Sequence, residues 1–163
     1  MKEPSLFPRK PRIDLPCGPY RTTRKLDDRL DAPLFVYFHN HGDPGFGIYP
    51  AVSWRHNKAA FATQGLVVDE IFARSMKPLP PEGFYRVREA FSCCEKHCMT
   101  FAPDTLVQLG YDGSGNAIVF VLRFTAAGLE LPERGTRIAD ENLAKLAPLR
   151  VIMDEEHAMP EEK

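Results

Sequence analysis

Five of the chain's 15 prolines fall within its first 20 residues, at Pro4, Pro8, Pro11, Pro16 and Pro19. Proline lacks the N–H that a helix or a sheet ladder needs, so a stretch punctuated this way favours extended, solvated backbone. Residues 1–32 therefore read as a Pro-rich basic arm, laid across the body through Phe7, Ile13, Leu15 and Tyr20. Residues 33–153 read as a single globular domain, and residues 154–163 as a disordered acidic tail. Fifteen prolines in 163 residues is well above the usual share of ~5%.

Charge follows the same division. Residues 1–25 carry seven Lys or Arg against Glu3 and Asp14, while the remaining chain is net acidic. The total of −1 gives the body no broad field to attract a polyanion, so nucleic acid is an unfavoured partner for all but the arm. No window approaches the ~18–20 apolar residues that span a bilayer, so no membrane partner is expected. The start "MKEPSLFPRKPR" has no apolar core of a secretory leader, so the expected compartment is the cytoplasm, where thiols stay reduced.

The body reads as short strands. "LFVYFH" (34–39) is apolar on both faces and should be a central, doubly covered strand. "NHGDPGFG" (40–47) is a loop leading into "IYPAVSW" (48–54), where Pro50 demands an edge or a bulge. "AAFAT" (59–63) and "LVVDEIFA" (66–73) are also assigned to strands. The best hairpin signal is "TLVQLGY" (105–111) and "NAIVFVLRF" (116–124) around "DGSG". "GLELP" (128–132) and "LRVIM" (149–153) add two strands, and Asp140 should cap a short helix carrying Leu143 and Leu146. The fold class that results is α+β: mostly antiparallel β-sheet or a small barrel, with one or two helices.

Three of the four cysteines sit in "FSCCEKHCMTF" (91–101). Phe84, Val87, Phe91, Cys94, Cys98 and Phe101 recur at steps of three and four, which predicts a helix bounded by Pro81 and Pro103. A strand would instead put Glu89 on one face with Tyr85, Val87 and Phe91. On a helix Cys94 and Cys98 would have Cβ atoms about 5–6 Å apart with His97 beside them. On a strand they would lie ~13 Å apart at ~3.3 Å per residue, too far to share an ion. A structural zinc site needs four ligands, and the second pair would have to come from Cys17, or from His39 and His41. Cys94 and Cys98 are thus expected as core residues on the inward stripe, with no metal and no cofactor.

"HNHGD" (39–43) is the other cluster with chemical potential. His39, His41 and Asp43 share a parity in extended chain and offer a zinc or iron ligand set. The string resembles the first half of the HxHxDH signature of metallo-β-lactamase-like hydrolases, with Pro44 where the closing histidine belongs. It supports the alternative of a small metal-dependent hydrolase. The aromatic set around the same loop favours binding instead: His41, Asp43, Phe46, Tyr49, Trp54 and Arg55 form the candidate contact residues. The leading expectation is a non-catalytic binding or regulatory module acting on a protein partner. A nucleic-acid-contacting regulator using the basic arm is the remaining alternative.

Overall fold

Phe35, Val36 and Phe38 are sealed from solvent, as a run with no polar face requires. They lie in the middle of a sheet described, with the rest of residues 13–41 and 45–150, by a computed structural model. In chain order the strands are β1 (Gly18–Arg21), β2 (Phe35–His39), β3 (Gly47–Arg55), β4 (Lys58–Phe61) and β5 (Lys77–Pro78). They continue as β6 (Gly83–Val87), β7 (Phe91–Ser92), β8 (Thr100–Phe101), β9 (Leu106–Tyr111) and β10 (Ala117–Val121). The last four are β11 (Arg123–Thr125), β12 (Gly128–Glu130), β13 (Thr136–Arg137) and β14 (Leu146–Pro148). One α-helix, α1 (Glu70–Ser75), and one 3-10 turn (Asp140–Lys145) complete the described residues.

Two five-stranded antiparallel sheets carry the fold, in the orders β4-β3-β2-β1-β5 and β13-β10-β9-β6-β14. Each runs from one edge strand to another, so neither closes into a barrel. β7–β8 and β11–β12 are separate two-stranded hairpins. The period of two along β2 explains how the layers meet. Phe35 points into a core shared with Val107, Leu109, Tyr111 and Val119 of the second sheet. Val36 and Phe38 point the other way, against Ile13, Val68, Phe72, Ala73 and Met76. Ile48 and Leu66 exchange backbone hydrogen bonds at 2.9 and 2.8 Å. That approach needs a residue without a Cβ at Gly47 (φ +144°), where a side chain would strike the Leu66 carbonyl.

Several sequence expectations hold. The run at 34–39 is a central strand, β9 and β10 form the hairpin around "DGSG", and the register of β3 against β4 shifts just after Pro50. Within the segment read as an arm, Ile13 and Tyr20 are buried, and β1 is an inner strand of the first sheet, between β2 and β5. Residues 1–12, the loop tip 42–44 and the tail from 151 onward lie outside the described residues.

Others are corrected. The helix over 84–101 is not formed: the segment is β6, β7 and β8 with turns between them. Tyr85, Val87, Phe91 and Cys93 are buried at alternating positions, and Glu89 is exposed in the break between β6 and β7, so no carboxylate enters the core. Phe84, Cys94 and Cys98, which the helical stripe placed inside, are exposed. "LVVDEIFA" is not a strand; Asp69 accepts from the Phe72 N–H at 2.7 Å and caps α1. Of the strand assigned to "LRVIM", Leu149 and Arg150 are not in a strand and residues 151–153 lie outside the described residues; β14 lies just ahead, at Leu146–Pro148. Asp140 caps nothing; its carboxylate is taken by Arg21 and Lys77.

That ion cluster makes an acid-stability prediction. The Arg21 guanidinium, and Lys77 at 2.8 Å, hold the Asp140 carboxyl down at about 2 against an ordinary 3.8. A folded-state value below the unfolded one stabilises the chain above pH ~4, and this contribution disappears as pH falls through ~2. Because the cluster is partly solvent-screened, the loss should be about 1 kcal/mol. Urea melts of wild type and Asp140→Asn between pH 5 and pH 2 should converge at the acid end. Parallel curves would contradict the assignment.

Candidate functional site

The β7–β8 hairpin pairs Phe91 with Phe101 and Ser92 with Thr100, and the Cys93 N–H donates to the Met99 carbonyl at 2.9 Å. Phe91 and Phe101 stack with centroids 4.8 Å apart and anchor the hairpin in the core. The loop they close is therefore held at both ends. Within it the His97 N–H donates to the Cys94 carbonyl at 3.0 Å, and His97 adopts a left-handed φ of 50°. This sharp turn folds Cys98 back towards Cys94. The sulfurs of Cys93, Cys94 and Cys98 all lie within 4.8 Å of one another.

The environment treats the three sulfurs unequally. The Cys93 thiol donates to the Cys94 sulfur at 3.5 Å. That bond, with the backbone N–H groups of Lys96 and Cys98, lowers the Cys94 thiol from its ordinary value. The hydrogen bond with Cys94, and after it the charge interaction with Cys94, raise the Cys98 thiol. Cys93 is only 3% exposed, while Cys94 and Cys98 are open to solvent. Cys94 borders a cleft of about 540 Å³ that is also lined by Ser92, Glu95, His97 and Glu141. The His97 Nδ1 lies 2.7 Å from the Ser92 Oγ, which fixes that ring at the cleft wall.

Labelling rates should follow this arrangement. In the folded protein Cys94 should react fastest with iodoacetamide, Cys98 more slowly, and Cys93 only on unfolding. Mass spectrometry of partially labelled chain reads the order directly. Rapid native labelling of Cys93 would contradict the packing of the loop.

A second cluster lies at the end of the first sheet. Gly18 pairs with Phe38, so Cys17, just ahead of β1, falls beside His39 at the end of β2. Cys17, His39 and His41 place their ligand atoms within 4.8 Å of one another. The two imidazole rings are 4.3 Å apart.

The sequence-derived contact residues do not form one face. His41 is exposed beside Cys17, and Asp43 lies outside the described residues. Phe46 packs edge-on against Phe38 with centroids 5.7 Å apart. Tyr49 is buried and donates to the Gly45 carbonyl at 2.8 Å. Trp54 and Arg55 face outward, the indole N–H donating to the Tyr111 carbonyl at 2.8 Å. Cys93 and Asn40 were missed. Cys93 stands outside the helical stripe, so the spacing gives no reason to group it with Cys94 and Cys98. Asn40 has no local signal, because its contacts come from strand pairing. The Cys17–His39–His41 grouping is half visible in the sequence: His39 and His41 already read there as one ligand set, with Asp43, while Cys17 enters only as a candidate to complete the Cys94–Cys98 pair.

No family model, curated protein or solved structure matches this chain.

Proposed function

We propose that the chain is a non-catalytic regulatory module that acts on a protein partner and holds a Zn²⁺-class cation on Cys93, Cys94 and Cys98. The observation that carries the reading is the convergence of three sulfurs within 4.8 Å on a loop anchored at both ends. Thiolate sulfur selects thiophilic d10 cations over hard ones, and three protein ligands leave a fourth position for water or a partner's side chain. N–H groups already directed at the Cys94 sulfur support a charged ligand there before the metal arrives. A reducing cytoplasm suits this reading, since all four cysteines would stay available.

The partner surface that fits best is the β11–β12 hairpin, where the cross-strand pair Phe124 and Leu129 is 87% and 58% exposed. A metal-loaded loop that changes stiffness would give such a module its regulation. The experiment is alkylation of the reduced Cys17→Ser chain with and without one equivalent of Zn²⁺. Protection of Cys94 and Cys98, reversed by a chelator, supports the reading. Unchanged labelling of both cysteines overturns it.

A further inference from the structure

We infer that Cys17, His39 and His41 form a second cation site, of mixed sulfur and nitrogen character, that takes a borderline divalent ion such as Zn²⁺ or Co²⁺. It is independent of the three-sulfur loop. Its donors come from different parts of the chain, and strand pairing, not a local turn, joins them: Gly18 opposite Phe38 sets Cys17 beside His39. All three ligand atoms lie within 4.8 Å of one another, close enough for a single ion to reach each.

Asn40 is what makes this more than proximity. Its amide N–H₂ donates to the Leu15 carbonyl at 2.6 Å, so the side chain is held by the backbone ahead of β1. Its carbonyl oxygen accepts from the Cys17 thiol at 3.3 Å and lies 3.0 Å from the His41 Nδ1. Its backbone N–H donates to the Cys17 sulfur at 3.4 Å. One residue therefore orients two of the three donors, as residues outside the coordination sphere do in metal sites. The His41 N–H also donates to the His39 Nδ1 at 3.4 Å, which steadies the second ring.

Binding balances simply. The aqueous cation releases bound waters as protein donors replace them: the Cys17 S–H bond breaks and its proton leaves to solvent, a sulfur–metal bond forms, and two imidazole nitrogens complete a three-ligand set. The proton lost is the one now donated to Asn40, while the Asn40 N–H remains to hydrogen-bond the thiolate. His41 is exposed, so the fourth position of a tetrahedral ion faces water and can exchange.

The test uses the full chain carrying Cys94→Ser and Cys98→Ser, both exposed positions, so that the loop site is removed and its existence does not matter. Anaerobic titration with Co²⁺ should give one equivalent of bound ion with a near-ultraviolet sulfur-to-cobalt band. Adding Cys17→Ser should remove that band, and adding His41→Ala should weaken binding at least about tenfold. Circular dichroism melts of each variant confirm that the fold is intact. No band, or a band indifferent to either added substitution, overturns the proposal.

Discussion

Phe35→Ala is expected to lower the unfolding free energy by about 3–5 kcal/mol, the cost of deleting a large aromatic from a closed core. Phe35 is 0% exposed, and its ring lies 4.8 Å from Tyr111 and 5.3 Å from Phe61. Those partners belong to β9 and β4, so one side chain joins the two sheets. Its N–H also donates to the Gly113 carbonyl at 2.9 Å, fixing β2 against the turn after β9. A domain of ordinary stability holds about 5–15 kcal/mol, so this single change should remove a large share of it. The urea midpoint should fall steeply with the slope unchanged. Phe124→Ala, at a site 87% exposed, should shift stability by no more than about 0.5 kcal/mol. Similar losses at the two sites would mean that the sheets do not pack through Phe35.

Cys98→Ser should weaken Zn²⁺ binding at the loop by at least about a hundredfold, while leaving the melt of the metal-free chain nearly unchanged. Four-ligand zinc-finger sites bind Zn²⁺ with roughly 10–16 kcal/mol, so losing one sulfur of three should remove several kcal/mol here. Cys98 is exposed and contributes little packing, which separates the two readouts. Cys93→Ser should differ: its sulfur is buried, so binding and stability should both fall. A competition titration with a chromophoric chelator measures the affinities. Equal, small effects of both substitutions would place the ion elsewhere.

How much of this was legible depended on whether the signal was local. The strand at 34–39 and the hairpin around "DGSG" were readable because period and turn chemistry lie within a few residues. Pro50 announced an irregularity, and the register does shift beside it. The helix over 84–101 failed for a physical reason. Steps of three and four among Phe84, Val87, Phe91, Cys94 and Cys98 arise by coincidence across short strands and a turn. Treating each cysteine as buried then completed a stripe that does not exist. The run at 66–73 reads as a strand because its apolar start, Leu66 to Val68, fits one, and the Asp69 cap that turns the rest into α1 shows only in the fold. Asp140 was read as a cap because nothing in its neighbourhood reveals Arg21, 119 positions away. The candidate sites divide the same way. The three loop cysteines are neighbours in sequence, but their convergence needs the left-handed turn at His97. Cys17 meets His39 only through a strand pairing no local pattern encodes.

The most direct test of the three-sulfur site is X-ray absorption at the zinc edge. The sample is the Cys17→Ser chain, which silences the second cluster, loaded with one equivalent of Zn²⁺ under reducing conditions. The account predicts about three sulfur scatterers near ~2.3 Å and one lighter neighbour. A first shell made mainly of nitrogen or oxygen near ~2.0–2.1 Å would contradict it, because Cys93, Cys94 and Cys98 would then not be holding the ion.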